Sequence, residues 1–159
     1  VKLEDLKLLE GFFSRQLEIL ERLYGDVAEL DLAKYENLYV FALKAQQFYT
    51  ALEDLFKEIA RVFENRVEDP TRFHRELLVR MNTEVPEIRM AVIDERAFRF
   101  LDRLRRFRHF IRHAYDYELD REEIEKLQKM FREDFEVLRE DLNRFLEFVK
   151  DLSYEEREI

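Results

Sequence analysis

The side chains best able to do chemistry are gathered in one stretch, RLRRFRHFIRHAYDYELD, from Arg103 to Asp120. Its first eleven residues hold Arg103, Arg105, Arg106, Arg108 and Arg112 together with His109 and His113, and no acid. A guanidinium is a permanent cation whose planar fork matches phosphate oxygens. An imidazole titrates near neutrality and can take or give a proton. The set therefore suits phosphodiester chemistry in which positive charge meets the phosphorane and imidazole moves the protons. Two other readings compete. His109 and His113 are four apart and could chelate a metal, but Arg105, Arg106, Arg108 and Arg112 surround them and repel a cation, and no glutamate in the immediate helix completes a site. The plainer alternative is two exposed histidines on a basic helix. His74, in TRFHREL, reads as a surface or boundary histidine.

The cations are local. The chain of 159 residues carries a formal net charge of −9, so any polyanion must meet this patch rather than the surface at large. The chain contains no HExxH, no Gly-rich phosphate loop, no GxSxG and no Glu-x-x-His, and its two serines, Ser14 and Ser153, lie in different terminal helices. There is no cysteine, which excludes disulfides and thiolate chemistry. No run approaches the ~20 apolar residues of a membrane span. With no basic-then-apolar leader at the amino terminus, the expected location is cytoplasmic.

The elements that must position these groups are helices. Hydrophobic residues make up 47 % and charged residues 41 % of the chain, with two glycines and two prolines, which suits long amphipathic helices and disfavours many short strands. A first helix is expected from Lys2 to Tyr24, with Leu3, Leu6, Leu9, Phe13, Leu17 and Leu20 on one stripe and Gly25 ending it. Asp31 can cap a second, whose stripe runs Leu38, Phe41, Ala45, Phe48, Leu52, Leu55, Ile59 and Val62. Asp69 as N-cap and Pro70 at the first helical position start a shorter third helix that fades near Asn82. TEVPEIR is a connector with room for a helical turn. Asp94 can cap the helix that carries the basic stretch. A last helix starts near Asp120, with Ile124, Leu127, Phe131, Leu138, Leu142, Phe145, Val149 and Leu152 as its stripe and Phe135 beside it. The expected fold is all-α, one domain over residues 1–159: an antiparallel four-helix bundle with an additional short helix.

On the fourth helix Ala97, Leu101, Leu104, Ile111 and Tyr115 fall within an arc of about 80°, the buried stripe, and Arg108 falls in or at the edge of it. An arginine where the pattern asks for leucine needs a partner for its charge. It can snorkel, it can be held by a buried carboxylate such as Glu53, or it can be kept at a cleft or subunit seam to receive an anion. His113, five residues on, lies about 140° away on a continuous helix. Either the helix bends between the two, or a second copy supplies the missing partner across a two-fold axis.

The segment RHFIRHAY fits Arg-x4-His-x-Tyr with a polar residue after the arginine, and in this it resembles the HEPN superfamily and, within it, the HepT-like toxins. The likeness runs from about Ala51 to Asp120 and includes ALEDLFKEIARVFENRVEDPTRFHRELL upstream and HAYDYELD at the close of the motif helix. His109 fills the polar slot where asparagine is common. The resemblance implies an RNA endonuclease that needs no metal or other cofactor. In it, two protomers of a homodimer each bring Arg108 and His113 to a shared cleft, with His109 and Arg112 in support; Glu53, beside the apolar stripe of the second helix, is the expected orienting partner of Arg108. Arg105 and Arg106 would attract the RNA backbone. It also implies a partner, a minimal nucleotidyltransferase antitoxin that attaches AMP to the motif tyrosine, Tyr115, with Tyr117 as a competing acceptor. A catalytically silent subunit that binds a nucleotide or RNA for that partner is the alternative, and a purely structural helical dimer is the third.

Overall fold

The computed structural model describes residues 1–65, 74–113 and 118–158, the side chains of His74, His113 and Glu158 excepted. Five helices follow one another: α1 (Leu3–Ala28), α2 (Tyr35–Glu64), α3 (His74–Met81), α4 (Glu95–His113) and α5 (Arg121–Glu158). No strand occurs among the described residues, so the fold is an all-α bundle, as the patterning requires. Each long helix buries the stripe that its three- and four-residue steps lay down, for instance Leu6, Leu9, Phe13, Leu20, Leu23 and Val27 on α1.

The four long helices form a ring in which α1 touches α2 and α5, and α4 touches the same two from the opposite side; α3 packs across α2 and α4. Neighbours run antiparallel. On α1 and α2, Asp26 meets Lys44, Gln16 donates to the Ala51 carbonyl, and Asp5 meets Arg61. On α1 and α5, Val27 meets Gln128 while Phe13 stacks on Phe145. Aromatic rings fill the centre. Phe48 of α2 packs against Phe100 of α4 and against Phe131 and Phe135 of α5, with centroids 5.0–6.3 Å apart. Phe41 meets Phe107 and Phe131 edge-on. Burying each such ring is worth about 1.5–3 kcal/mol, which commits α4 to this position in the ring.

Two helix boundaries differ from expectation. Gly25 does not end α1, which continues to Ala28. Val27 and Ala28 are buried against α5, and there Gln128 donates to the carbonyls of Val27 and Leu30 and Arg132 to that of Ala28. Side chains of another helix thus satisfy the carbonyls that a glycine cap would otherwise serve. Asp31 does not cap α2, which begins at Tyr35 behind Lys34. Its carboxylate accepts the Ala33 N–H at 3.1 Å and its carbonyl accepts from Asn37, so it builds the turn before the helix. Asp94 and Asp120 do cap: Asp94 accepts the Ala97 N–H at 2.8 Å and Asp120 the Glu122 N–H at 3.0 Å. Asp69 and Pro70 lie outside the described residues. The connector contains a tight turn closed by an isolated bridge between Val85 and Arg89, with Glu87 at φ 68°, in place of a helical turn.

The start of α4 is fixed from below. The Asp94 N–H donates to the buried Asp141 of α5 at 2.8 Å. Burial pushes the Asp141 carboxyl above the ordinary aspartate range, against the pull of the Asp94 N–H and of Arg144. A carboxyl whose folded pKa is raised holds its proton more tightly in the folded state. Its contribution is complete below the unfolded value, about 3.9, and is lost as pH rises through the folded value. Asp141→Asn keeps an acceptor for Asp94 without the charge. It is expected to melt higher than wild type at pH 7 and to lose that advantage near pH 4, as thermal unfolding followed by circular dichroism across pH would read.

Candidate functional site

The helix α4 is continuous from Glu95 to His113. Its buried side is Ala97, Phe100, Leu101, Leu104 and Phe107, and the next turn contributes the partly buried Ile111. Arg108 sits at the flank of this side that faces α2. Its Nη1 donates to Glu53 Oε1 at 3.0 Å, an ion pair in which the Glu53 side chain is 3 % and the Arg108 side chain 16 % exposed. The guanidinium carbon lies 5.5 Å from the centroid of the Tyr49 ring. Tyr49 and Glu53 are four apart on α2 and so share one flank of it. One residue fixes the edge of the guanidinium and the other supplies a face for it.

Arg108 is held but not consumed. Glu53 engages Nη1, and among the described residues Nε and Nη2 have no hydrogen-bond partner. Arg108 lines a concavity with Arg105, His109 and Arg112. Arg105 is half-buried and its Nε donates to Asp102 at 2.9 Å. Arg106, exposed on the neighbouring flank, approaches the same Asp102 at 3.7 Å. Arg103 faces Glu123 at 4.0 Å. Arg112 is exposed and has no carboxylate partner among the described residues. Around the concavity, three guanidiniums (Arg105, Arg108, Arg112) thus stand against two carboxylates (Glu53, Asp102), and the His109 ring is at the rim. Such a site favours an anion that can displace water from a guanidinium edge, above all a phosphate.

Sequence reasoning does not single out Tyr49, because an aromatic in an apolar stripe reads as core. Its i, i+4 relation to Glu53 is the available signal. Its hydroxyl is buried with no hydrogen-bond partner among the described residues. Burial first, and the Glu53 carboxylate second, push its pKa upward against the pull of Arg105 and Arg108. It stays protonated at any working pH and acts as a platform, not as a proton carrier. Asp102, which directly precedes the basic run, is a second residue of the site that the motif does not mark.

His113 is the last residue of α4. The helix does not break between Arg108 and His113, so these two positions lie about 140° apart around it, and one chain does not bring them together on a single face. Tyr115 and Tyr117 lie outside the described residues. No group of three or more His, Cys, Asp or Glu side chains is placed to hold a metal ion among the described residues. No helix among them is long and apolar enough to cross a membrane.

Residues 40–149, more than half of the 159-residue chain, match a family model described as HepT-like protein. The match contains the whole cleft, from Tyr49 and Glu53 through Arg112. Neither the curated proteins nor the solved structures gave a match.

Proposed function

The chain belongs to the HepT-like family of the HEPN superfamily, and on that premise we propose that it is a metal-independent endoribonuclease, the toxin of a toxin–antitoxin pair, active as a homodimer. The observation that carries this reading is Arg108. A guanidinium stands in the apolar pattern of the motif helix, braced by Glu53 and Tyr49, with Nε and Nη2 left to meet an anion at a basic concavity.

In the reaction, one His113 imidazole takes the 2′-hydroxyl proton as O2′ attacks phosphorus. The bond from phosphorus to O5′ breaks, and O5′ takes a proton from the imidazolium of the second copy. The products are a 2′,3′-cyclic phosphate and a 5′-hydroxyl. Arg108 holds the non-bridging oxygens as charge builds on them. His109 and Arg112 line the approach, and Arg105 and Arg106 attract the backbone with an affinity that falls as salt rises. Because the nucleophile is the 2′-hydroxyl, DNA is not cut. A nucleotidyltransferase partner transfers AMP from ATP to the hydroxyl of Tyr115, or of Tyr117, the phenol losing its proton and pyrophosphate leaving as the bond between the α- and β-phosphates of ATP breaks, and the added phosphate and base occupy the RNA site.

The test is purified protein on total RNA in excess EDTA, beside Arg108→Ala and His113→Ala. The expected result is cleavage with cyclic-phosphate ends that survives EDTA and is lost in both variants. Binding of RNA without cleavage would instead make the chain the non-catalytic subunit that serves its nucleotidyltransferase. Mass spectrometry after co-expression with that partner is expected to find AMP on a motif tyrosine.

A further inference from the structure

Arg105 and Arg106 are neighbours with the same charge and share the carboxylate of Asp102, yet they are held differently. The Arg105 side chain is 22 % exposed and sets Nε and Nη2 against Asp102 Oδ1, both at 2.9 Å. Arg106 is 59 % exposed, and its Nε stands 3.7 Å from Asp102 Oδ2. Around α4, Arg105 lies about 60° from Arg108 and Arg106 about 160°. Arg105 therefore lines the concavity with Arg108, while Arg106 is turned to the other side of the helix. Tyr49 registers the same arrangement. Burial and Glu53 push its hydroxyl upward in pKa, and Arg105 and Arg108 both pull it back. The two guanidiniums thus approach one flank of α2 from adjacent turns of α4.

Each of them is braced in the same way. Glu53 of α2 holds Nη1 of Arg108 and leaves Nε and Nη2. Asp102 of α4 holds Nε and Nη2 of Arg105 and leaves Nη1, which has no hydrogen-bond partner among the described residues. A guanidinium tied by one edge to a carboxylate keeps its plane and loses little further freedom on meeting an anion. The concavity between them has a volume of about 40 Å³, room for one phosphate group but not for a nucleotide.

We propose that Arg105 is a second phosphate ligand of the cleft, closing with Arg108 on the two non-bridging oxygens of one phosphodiester, and that Asp102 is the residue that positions it. The inference rests on the ribonuclease reading for the step it assists, and it separates Arg105 from the other cations of the run. As O2′ attacks and O5′ leaves, negative charge grows on both non-bridging oxygens. One braced guanidinium for each oxygen meets that charge without rearranging. Arg112 lines the same concavity with no carboxylate to fix it, so it adds to the field, as Arg106 does from the far side.

The test measures kcat and KM on an RNA oligonucleotide, at low salt and at about 0.3 M. Wild type is compared with Arg105→Ala, Arg106→Ala, Asp102→Ala and Asp102→Asn, each checked for folding by circular dichroism. Arg105→Ala is expected to lower kcat about 10²-fold at both salt concentrations. Arg106→Ala removes the same charge but should act mainly on KM, with an effect that fades at high salt. Asp102→Ala removes a negative charge, which alone would strengthen binding, yet it should lower kcat about 10-fold. Asp102→Asn keeps an acceptor for Nε and should recover most of that loss. Equal kcat losses in Arg105→Ala and Arg106→Ala, or a loss that salt abolishes, would overturn the proposal while the nuclease reading stands. An Asp102→Ala variant as active as wild type would strike out the positioning role. If wild type cuts no RNA, the nuclease reading fails instead, and the site is judged by binding of the 2′-deoxy oligonucleotide of the same sequence. An affinity loss in Arg105→Ala about 10-fold beyond that in Arg106→Ala at high salt sustains the two-arginine site, and equal losses overturn it.

Discussion

Replacing Arg108 with alanine is expected to lower RNA cleavage by about 10²–10³-fold, the range for removing one charge-stabilising group at a phosphoryl or acyl centre. The same change should destabilise the fold, because Glu53, 3 % exposed, loses the guanidinium 3.0 Å away. Breaking a buried pair from one side costs about 3–5 kcal/mol. The two effects must be separated, since an arginine that only balances a buried acid would also lose activity when its loss unfolds the protein. Glu53→Gln with Arg108→Met does this. The neutral pair removes the buried charge at position 53 and should return most of the stability, read by urea denaturation, while cleavage stays at the level of Arg108→Ala. Glu53→Gln alone keeps an acceptor at Nη1, so it should retain cleavage and bind RNA more tightly at low salt, one opposing charge having gone. Arg108→Lys should not rescue, because an ammonium cannot use one edge for Glu53 and another for phosphate. If the double variant recovers cleavage along with stability, Arg108 is a structural residue.

How far this site can be read without coordinates depends on the residue. Arg108 is legible because it breaks an apolar period, and a break in period survives any change of context. Glu53 can be named because it borders the stripe of the second helix. Tyr49 cannot, since being core and serving as the floor under a guanidinium leave the same trace in the sequence. The basic run is less free than its sequence suggests. The eleven residues from Arg103 to His113 contain no acid, yet Asp102 stands one residue before them and reaches Arg105 and Arg106 at three- and four-residue spacing. At the end of α1 the local cap signal, Gly25, is outweighed by donors from Gln128 and Arg132, about a hundred residues away in the chain. Asp31 spends its cap chemistry on the turn before α2 instead. Between a bent motif helix and a site shared by two copies, the wheel cannot choose. A helix unbroken to His113 removes the bend, and the shared site remains as the proposal to test.

Arg89→Met should give the largest loss of stability of any single change away from the cleft, about 3–5 kcal/mol. The Arg89 side chain is fully buried. Its Nη1 donates to the carbonyls of Thr83 and Met90, both at 3.0 Å, and its Nη2 to the Arg80 carbonyl and to Glu64 Oε1, at 3.0 and 3.1 Å. One guanidinium therefore ties the end of α2, the end of α3 and both sides of the connector turn. Methionine has a similar volume and no donor, leaving three carbonyls and a carboxylate to find others. Against a total of about 5–15 kcal/mol for a domain, that is a large share. At about 2–4 °C per kcal/mol the melting temperature should fall by roughly 6–20 °C. Arg89→Lys should recover little, because one ammonium cannot span four acceptors arranged around a plane. Activity should behave differently from stability. The connector that Arg89 ties leads into Asp94, the cap of α4, some 14 residues and about 21 Å before Arg108. The aromatic centre holds the intervening helix independently of the connector. At a temperature where the variant is folded, cleavage per folded molecule should match wild type. A denaturation midpoint indistinguishable from wild type would sink the claim that this arginine is the tie, and a normal midpoint with altered cleavage would mean that the connector reaches the cleft by a route other than the start of α4.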